Sequence, residues 1–354
     1  MKKAVLYIVC IGIIVGFQAC TKENLEGCIR GLKLRVSYAF NSVEADAPAP
    51  QLQSTRAYVF NESNLLCAVG EASGTNLFSG QTIDFSLEPG KYKVIVWGSD
   101  NANFFHSYGE GTSAMSSLVG YTEGITIGKT ALSDFCLFLK RQATEGAETQ
   151  YFPSNNPCDD LYYGASGTRA SKSSEYSIEE VTIPEDGMIE KNIELIRNTN
   201  VMDVSITGLS NLLNSSDFSN DADIYISVKG DNYLWNNSFG NNDTQTKYTP
   251  YNMQTNKDGL LSFNIKIQRI RMDMQSEKPL ILYIKDKIQG KTLLEMDILE
   301  CLLKASDESG QYIYKNQEDL DRMYIHHIRL EFANNFTVKI FINGWEVQRI
   351  YPVH

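Results

Sequence analysis

The sequence predicts an all-β protein with two tandem antiparallel β-sandwich domains. Its 354 residues suit two domains of ordinary size. The chain has 19 Tyr and 16 Phe but only 9 Pro, a balance that favours strands over a helical bundle. Apolar and polar residues alternate in many segments. Short helices fit only 112–119, 209–218 and 297–305, and the last of these could equally be a strand.

Three segments alternate strictly between apolar and polar residues, at 32–40, 261–268 and 337–343. One solvent-exposed face and one buried face is the pattern of a strand in a β-sandwich. Further strands are predicted at 55–60, 82–87, 91–97, 135–140, 176–183, 189–197, 201–208, 223–229, 278–285 and 325–332. The segments 141–172 and 230–256 are rich in polar residues, and we predict long loops there.

The strand pattern restarts after a polar run, Arg197-Asn198-Thr199-Asn200. We place a domain boundary at this run. The N-terminal domain then comprises 20–197 and the C-terminal domain 198–354, and each contains enough strands for a sandwich.

Charge and composition disfavour several functional classes. The formal net charge of −11 leaves no broad cationic surface for a phosphate backbone, so no nucleic-acid partner is expected. His326 and His327 are adjacent on a predicted strand and would point to opposite faces, which makes a shared metal ion unfavourable. No GxSxG motif or other catalytic pattern occurs. We therefore predict a protein that is not an enzyme and has no cofactor or metal.

The first residues have the features of a lipoprotein signal peptide. Two lysines precede the uncharged segment 4–17, which is too short to cross a bilayer because a spanning helix needs about 20 residues. The next residues resemble a bacterial lipobox, with Ala19 at the small-residue position and Cys20 as the thiol that accepts diacylglycerol. We predict a signal peptide at 1–19 and attachment to membrane lipid through Cys20. The alternative is a secreted protein in which Cys20 forms a disulfide.

Several features follow one another in a fixed order along the chain. They are the lipobox with Cys28 eight residues after Cys20, the strand at 32–40, RAYVFNESNLL at 56–66, LEPGKYKVIVWGSDN at 87–101, DLYYG at 160–164, IELIRNTNVMDVSITGL at 193–209 and INGW at 342–345. In this order they resemble the fimbrial anchor subunits of Bacteroidales, FimB-like lipoproteins of the minor and major fimbriae. The resemblance spans nearly the whole chain.

This resemblance implies two transthyretin-like sandwiches at the base of a surface fimbrium, held in the outer membrane by lipid. In the related shaft subunits, a trypsin-like protease removes the N-terminal strand, and a strand from a neighbouring subunit fills the groove. This sequence has no Lys or Arg between Arg35 and Arg56, so the loop after the first strand offers such a protease no site. We therefore expect the strand at 32–40 to stay in place.

A subunit that keeps its first strand would join the shaft by donating a strand. The candidate donor is the C-terminal segment 336–350. Its apolar Val338, Ile340, Ile342 and Trp345 would fill the pockets of a fimbrillin shaft subunit. A core strand of the second sandwich would show the same alternation, so both interpretations are open.

The predicted function is that of a structural lipoprotein that anchors a fimbrium and influences its length. One alternative is a surface glycan-binding lipoprotein, in which Tyr233, Trp235, Tyr248 and Tyr251 stack on sugar rings. Packing of these aromatic rings against a sandwich is the simpler interpretation. The other alternative is a fimbrial tip adhesin of the same superfamily, which would accept a strand and donate none. The complete alternating strand near the C terminus argues against a tip subunit.

Overall fold

The computed structural model describes residues 30–38, 50–75, 77–102, 104, 125–138, 142–143, 149–152, 158–170, 175–213, 221–230, 232–240, 245–274, 279–333 and 337–352. Strands dominate these ranges, and the prediction of an all-β fold is confirmed. Up to residue 197 the strands are β1 (Gly31–Tyr38), β2 (Ser54–Phe60), β3 (Leu66–Ser73), β4 (Thr82–Ser86), β5 (Gly90–Ser99), β6 (Cys136–Phe138), β7 (Gln142–Ala143), β8 (Thr149–Phe152), β9 (Leu161–Ala165), β10 (Gly167–Arg169), β11 (Tyr176–Ile178), β12 (Val181–Ile183) and β13 (Met188–Arg197).

In the second half, the described residues form the remaining strands and two short α-helices. The strands are β14 (Thr199–Thr207), β15 (Ala222–Lys229), β16 (Asn232–Leu234), β17 (Gln245–Tyr248), β18 (Tyr251–Thr255), β19 (Leu261–Gln268), β20 (Ile281–Asp286), β21 (Thr292–Asp297), β22 (Ile325–Ala333), β23 (Thr337–Ile342) and β24 (Trp345–Pro352). The helices are α1 (Ile298–Lys304) and α2 (Gln317–Arg322). Asp297 caps α1 by accepting a hydrogen bond from the backbone N–H of Glu300, as expected of an N-cap residue.

The first sandwich is formed by one long path of strands in the order β3-β2-β5-β9-β13-β1-β4, with β12 paired to β5. Neighbouring strands are antiparallel except β1 and β13, which are parallel. The sheet encloses a core to which Leu34, Val59, Val96 and Ile193 contribute. Alternation accounts for this arrangement, because every second side chain of a strand points inward.

The described strands form two six-stranded sheets that are built mainly from the second half of the chain. One has the order β18-β19-β14-β22-β23-β24, and the other has the order β21-β20-β15-β17-β8-β7. Buried side chains of both sheets, such as Val204 and Phe263 on one and Ile226 and Leu282 on the other, form a common core. Most pairs are antiparallel, while β14 with β22 and β8 with β17 are parallel.

Two predicted loops contain strands that pair across the middle of the chain. Within 141–172 lie β7 to β10, and within 230–256 lie β16 to β18. β8 pairs with β17, and β6 pairs with β16, so strands from before residue 198 join partners from after it. Such short strands depend on distant partners, which a local sequence pattern does not show. The domain division at 197/198 stays a prediction.

The predicted helical segments have different outcomes. The segment 297–305 contains α1, as predicted. Of the segment 209–218, the structure describes residues 209–213, which contain a 3₁₀ turn at Leu209–Asn211. The segment 112–119 lies outside the described residues.

Candidate strand-exchange site

β1 lies in the interior of the first sheet, between β13 and β4. All eight of its residues pair with β13, beginning with Gly31 opposite Met188. On its other side, the residues from Gly31 to Arg35 pair with β4. Both edges of β1 therefore take part in strand pairing, and its place in the sheet is filled.

The apolar side chains of β1 complete the core of the first sandwich. Leu32, Leu34 and Val36 are 0%, 1% and 7% exposed. Burying one aliphatic side chain contributes about 1.5–3 kcal/mol, so removal of β1 would uncover a costly apolar groove. Gly31 begins the strand with a φ of 142°, and a Cβ atom there would lie 1.8 Å from the carbonyl oxygen of Phe85. The close approach of β4 to β1 therefore requires glycine at this position.

Polar side chains on the outer face add contacts between β1 and β13. Arg35 forms an ion pair with Glu190. Nδ2 of Asn192 donates a hydrogen bond of 2.7 Å to Oγ of Ser37. Because the ion pair is exposed to solvent, it contributes less than about 1 kcal/mol. Burial of the apolar face is therefore the main force that retains β1.

The candidate donor residues lie on β23 and β24. β23 is an interior strand that pairs with β22 on one side and with β24 on the other. Val338, Ile340 and Ile342 are fully buried, and the half-buried Trp345 lies opposite Ile342 at the start of β24. In this structure the segment is a core strand of its own sandwich. Its donor role stays a prediction.

The predicted lipid site, Cys20, and the signal peptide at 1–19 lie outside the described residues. Arg30, the first described residue, lies ten positions after Cys20 in the sequence. Ten residues span at most about 35 Å, so a lipid on Cys20 would keep the start of β1 near the membrane surface. In the described part of the chain, no helix is long and apolar enough to cross a bilayer.

The aromatic residues considered for glycan binding mostly pack inside the protein. Tyr233 and Tyr248 are fully buried, and the hydroxyl of Tyr233 donates a hydrogen bond of 2.7 Å to the carbonyl oxygen of Asn198. Trp235 is half-buried against the same core, and Tyr251 is also half-buried. Two of the four rings are therefore inaccessible to a sugar in this structure.

A buried carboxylate, Asp160, joins the two halves of the molecule. Nζ of Lys266 lies 3.0 Å from its Oδ1, and the hydroxyls of Thr199 and Tyr324 donate hydrogen bonds of 3.0 and 2.8 Å to the same oxygen. Nε of Arg197 lies 3.7 Å from Oδ2. Burial alone would raise the pKa of Asp160, but Lys266 and Arg197 outweigh it and hold the pKa below its ordinary value. Asp160 is therefore an ionised contact between the halves.

The two histidines of β22 point to opposite faces. His327 is exposed, whereas His326 is fully buried, with Nδ1 lying 2.9 Å from the hydroxyl of Tyr314. Burial lowers the pKa of His326 to about 3, so its ring is neutral at physiological pH. Across the described ranges, no group of three or more His, Cys, Asp or Glu side chains could hold a metal ion.

Sequence analysis missed the contacts that fasten the halves together. The polar run Arg197-Asn198-Thr199-Asn200 was a signal, but we interpreted it only as a boundary. In the structure all four residues are at most 6% exposed. A polar run between two strongly apolar strands can therefore indicate a buried hydrogen-bonded junction as well as a linker.

Comparison with known proteins gives a consistent assignment. Residues 25–351 match the family model of fimbrillin-A associated anchor proteins Mfa1 and Mfa2. The structure is similar to the fimbrial anchor protein Mfa2 from Porphyromonas gingivalis, with a TM-score of 0.59 and 18% identity, covering 92% of this chain and 100% of that chain. No curated protein sequence matches the chain.

Two further solved structures share the fold. One is a candidate polysaccharide-binding protein from Bacteroides thetaiotaomicron, with a TM-score of 0.65 and 20% identity, covering 91% of this chain and 98% of that chain. The other is a candidate adhesin from Bacteroides ovatus, with a TM-score of 0.63 and 19% identity, covering 91% and 95%. At these identities the similarity shows the fold alone.

The tandem sandwiches and the family match together define a structural protein that is associated with fimbriae. The chain belongs to the family of fimbrillin-A associated anchor proteins, whose model covers nearly its whole length. The model describes this family as one of fimbrial anchor proteins.

Proposed function

We propose that this protein anchors a fimbrium to the outer membrane through lipid on Cys20. We further propose that it joins the first shaft subunit, a fimbrillin, by donating its C-terminal strand. The observation that carries the proposal is the position of β1, which is paired along both edges. The groove that an incoming strand would fill is already occupied by the protein's own strand. The protein would then act as a donor in strand exchange.

The position of β24 supports donation from the C terminus. β24 is the edge strand of its sheet and pairs only with β23 among the described strands. It can therefore leave without breaking a second pairing. Release of β23 as well would expose Val338, Ile340 and Ile342, at about 1.5–3 kcal/mol for each side chain. Burial of the same side chains in the groove of a shaft subunit would offset that cost.

An effect on fimbrial length follows if the protein donates a strand but cannot accept one. A subunit that donates a strand and accepts none at β1 occupies one end of the polymer. We propose that its binding ends growth at the base, so that the ratio of anchor to shaft subunits influences length.

The division into 20–197 and 198–354 belongs to the proposal as well, with β6 to β8 contributing to the second half of the molecule.

The donation can be tested with a disulfide that locks β23 in place. Arg329 on β22 and Phe341 on β23 lie directly opposite each other and point away from the core. The double variant Arg329→Cys with Phe341→Cys would link the strands after oxidation. We expect the oxidised protein to lose its fimbrillin partner in a detergent pull-down followed by mass spectrometry, and the reduced protein to recover it.

A matched lock serves as the control. Ser205 on β14 and Ser262 on β19 are opposite each other in the same sheet. Ser205→Cys with Ser262→Cys should leave fimbrillin capture unchanged in both redox states. Capture by the oxidised β22–β23 lock would overturn donation by β23. A protein truncated after 344, which lacks β24, then shows whether β24 alone is the donor.

The lipid anchor has a separate test. Cys20→Ala should move the protein from the outer-membrane fraction to the soluble fraction and abolish incorporation of labelled palmitate. Retention of label or of membrane association in this variant would contradict the anchor. Because this experiment reads localisation, its outcome does not depend on strand exchange.

A further inference from the structure

The turn between β23 and β24 consists of Asn343 and Gly344, whose φ angles are 49° and 87°. Two successive positive φ values define a type I′ hairpin turn, and Asn-Gly is its preferred sequence. The backbone N–H of Asn343 donates a hydrogen bond of 2.8 Å to the carbonyl oxygen of His327, and the N–H of His327 donates one of 2.9 Å to Oδ1 of Asn343. The side chain of Asn343 therefore extends the pairing of β22 with β23 to the tip of the hairpin.

The same side chain is bound from outside the sheet by Tyr314. Nδ2 of Asn343 donates a hydrogen bond of 2.7 Å to the hydroxyl oxygen of Tyr314, which is 2% exposed and lies between α1 and α2. The connection between the helices is fixed on both sides of Tyr314. The N–H of Ile313 donates to the carbonyl oxygen of Ala305 at 3.0 Å, and a capping box begins α2 two residues after Tyr314. The hairpin tip is therefore attached to a rigid part of the second half.

Tyr314 is itself held in place by the buried His326. Nδ2 of Asn200 lies 3.3 Å from Nε2 of His326. The amide of Asn200 is oriented by two backbone partners, because its Oδ1 accepts from the N–H of Ile270 and its Nδ2 donates to the carbonyl oxygen of Met323. Nε2 of His326 must then accept, so the single proton of the neutral ring lies on Nδ1 and is donated to the hydroxyl oxygen of Tyr314 at 2.9 Å. Hydrogen bonds thus connect the hairpin turn to the polar run between the halves.

The tip is the place where β23 would begin to separate from β22. Only three positions of the sequence lie between Ala333, at the end of β22, and Thr337, at the start of β23. These two residues are paired, and the short connection keeps that end of the two strands together. Separation must therefore start at the opposite end, where Ile342 pairs with Ile328 and Asn343 is bound. Hydrogen bonds of Asn343 resist this first step, on which the opening of all later pairs depends.

We propose that the hydrogen bond from Asn343 to Tyr314 is a latch that retains β23 in its own sheet. The latch acts before Gly344, so β24 can leave the sheet by rotation about this glycine while the latch stays closed. β23 leaves only when the latch opens. This inference rests on the proposed donation of the C-terminal strand, and it divides the donation into two steps. A fimbrillin would first bind the edge strand β24 and then draw out β23, whose buried side chains fill its groove.

Hydrogen exchange measures the latch directly. Tyr314→Phe removes the hydroxyl group and keeps the ring in the core. We expect the amides of 338–342 to exchange about tenfold faster in this variant, which corresponds to a loss of about 1.4 kcal/mol. Tyr248→Phe is the matched control, because Tyr248 is also fully buried and its hydroxyl donates a hydrogen bond of 3.2 Å to Oε1 of Gln268, away from the hairpin. The control should leave exchange in 338–342 unchanged.

A second variant removes the other partner of the same hydrogen bond. Asn343→Gly deletes the side chain and keeps the turn, because glycine adopts positive φ without strain. It should also accelerate exchange in 338–342. Because both substitutions break one shared bond, the double variant should exchange more slowly than the product of the two single effects predicts. Effects that multiply fully would mean that the two residues act independently, and they would overturn the latch.

The rate of fimbrillin capture tests whether the latch controls donation. The probe is a purified fimbrillin shaft subunit that lacks its first strand, and its capture should be about tenfold faster with Tyr314→Phe than with the unchanged protein. Capture at the same rate, or unchanged exchange in 338–342, overturns the latch while the proposed donation stands. Faster exchange in the variant without capture by either protein overturns the donation, and the control of donation by the latch falls with it.

Discussion

At the scale of single residues, the junction between the halves depends on a few buried polar groups. Asp160 accepts hydrogen bonds from Thr199 and Tyr324 and faces Lys266 and Arg197. Arg197 also places its guanidinium 3.6 Å from the ring centroid of Tyr324, a cation–π contact. Removal of one partner from such a network leaves buried charge without compensation, which costs far more than the loss of an exposed ion pair.

We expect Asp160→Asn to lower the free energy of unfolding by about 3–5 kcal/mol, because Lys266 and Arg197 would keep their charges without a buried counterion. Denaturant titration measures the change. Asp258→Asn, in an exposed turn, is the control and should stay within about 0.5 kcal/mol of the unchanged protein. A loss below about 1 kcal/mol for Asp160→Asn would show that the network does not fasten the halves.

His326 should make stability depend on pH. Burial lowers its pKa from 6.5 to about 3, so the unfolded chain takes up a proton at a pH where the folded protein does not. The difference in pKa between the folded and the unfolded chain therefore favours the folded protein most above pH 6.5. This contribution to the free energy of unfolding is lost as the pH falls towards 3. Between pH 6.5 and 4.5 the loss is about 2–3 kcal/mol, because protonation of the unfolded chain costs roughly 1.4 kcal/mol for each pH unit below its pKa.

Unfolding titrations of His326→Gln at pH 7 and pH 4.5 test this prediction. The variant should lack that part of the acid destabilisation which the unchanged protein shows. Asp100, whose pKa burial and Asp160 raise to about 6, contributes with the opposite sign but is common to both proteins. The exposed His327→Gln is the control and should retain most of the pH dependence, because burial is the larger cause of the lowered pKa of His326 and the charge of His327 is the smaller one. Identical pH profiles for the His326 variant and the unchanged protein would refute the assignment.

At the scale of single elements, the first strand is defined by what lies on each side of it. β13 and β4 bond to its two edges, and its apolar side chains enter the core of the first sandwich. Gly31 lets β4 approach because it has no Cβ. The same strand is thus specified by pairing, by burial and by a backbone conformation that other residues rarely adopt.

We expect Gly31→Ala to lower the free energy of unfolding by more than about 2 kcal/mol, because the added methyl group would overlap the Phe85 carbonyl. Gly290→Ala is the matched control, since Gly290 also has a positive φ, of 66°, but has open space around it. The control should cost only about 1 kcal/mol. Equal effects in thermal or denaturant unfolding would mean that the contact with β4 is unimportant.

The sequence predicts strands well where apolar and polar residues alternate without interruption. The alternation in 32–40, 261–268 and 337–343 gives β1, β19 and β23. β8 was missed because it is four residues long and pairs with β17, about 95 residues away. Junction residues such as Asp160 and Lys266 were missed because polar residues on a sequence look exposed until their partners are known.

At the scale of the whole molecule, the larger of two buried hydrophobic clusters extends through both halves. Trp97 and Tyr163 of the first half contact each other and belong to the same buried cluster as Phe263 and Leu330 of the second. The ring of Tyr233, from the second half, packs 5.7 Å from that of Trp97. An interface of this kind is closer to a shared core than to a contact between independent domains.

We expect the two halves to unfold in one cooperative transition, because neither can lose its structure without exposing the shared core. Differential scanning calorimetry should give a calorimetric enthalpy equal to the van't Hoff enthalpy. The same measurement on the Asp160→Asn variant should show a lower transition temperature and still a single peak. Two resolved transitions in the unchanged protein would contradict the prediction.

The double pairing of β1 also has a mechanical consequence for a protein attached by its N terminus. With the proposed attachment through Cys20, tension on a fimbrium would enter this chain through the residues just before β1, at Arg30. A pull directed along β1 loads its hydrogen bonds to β13 and β4 together, in shear, whereas a pull across the strand would break them one after another. Resistance to such tension is set by the rate of unfolding and not by the equilibrium stability. The strand that closes the sandwich would therefore also serve as the force-bearing link between membrane and polymer.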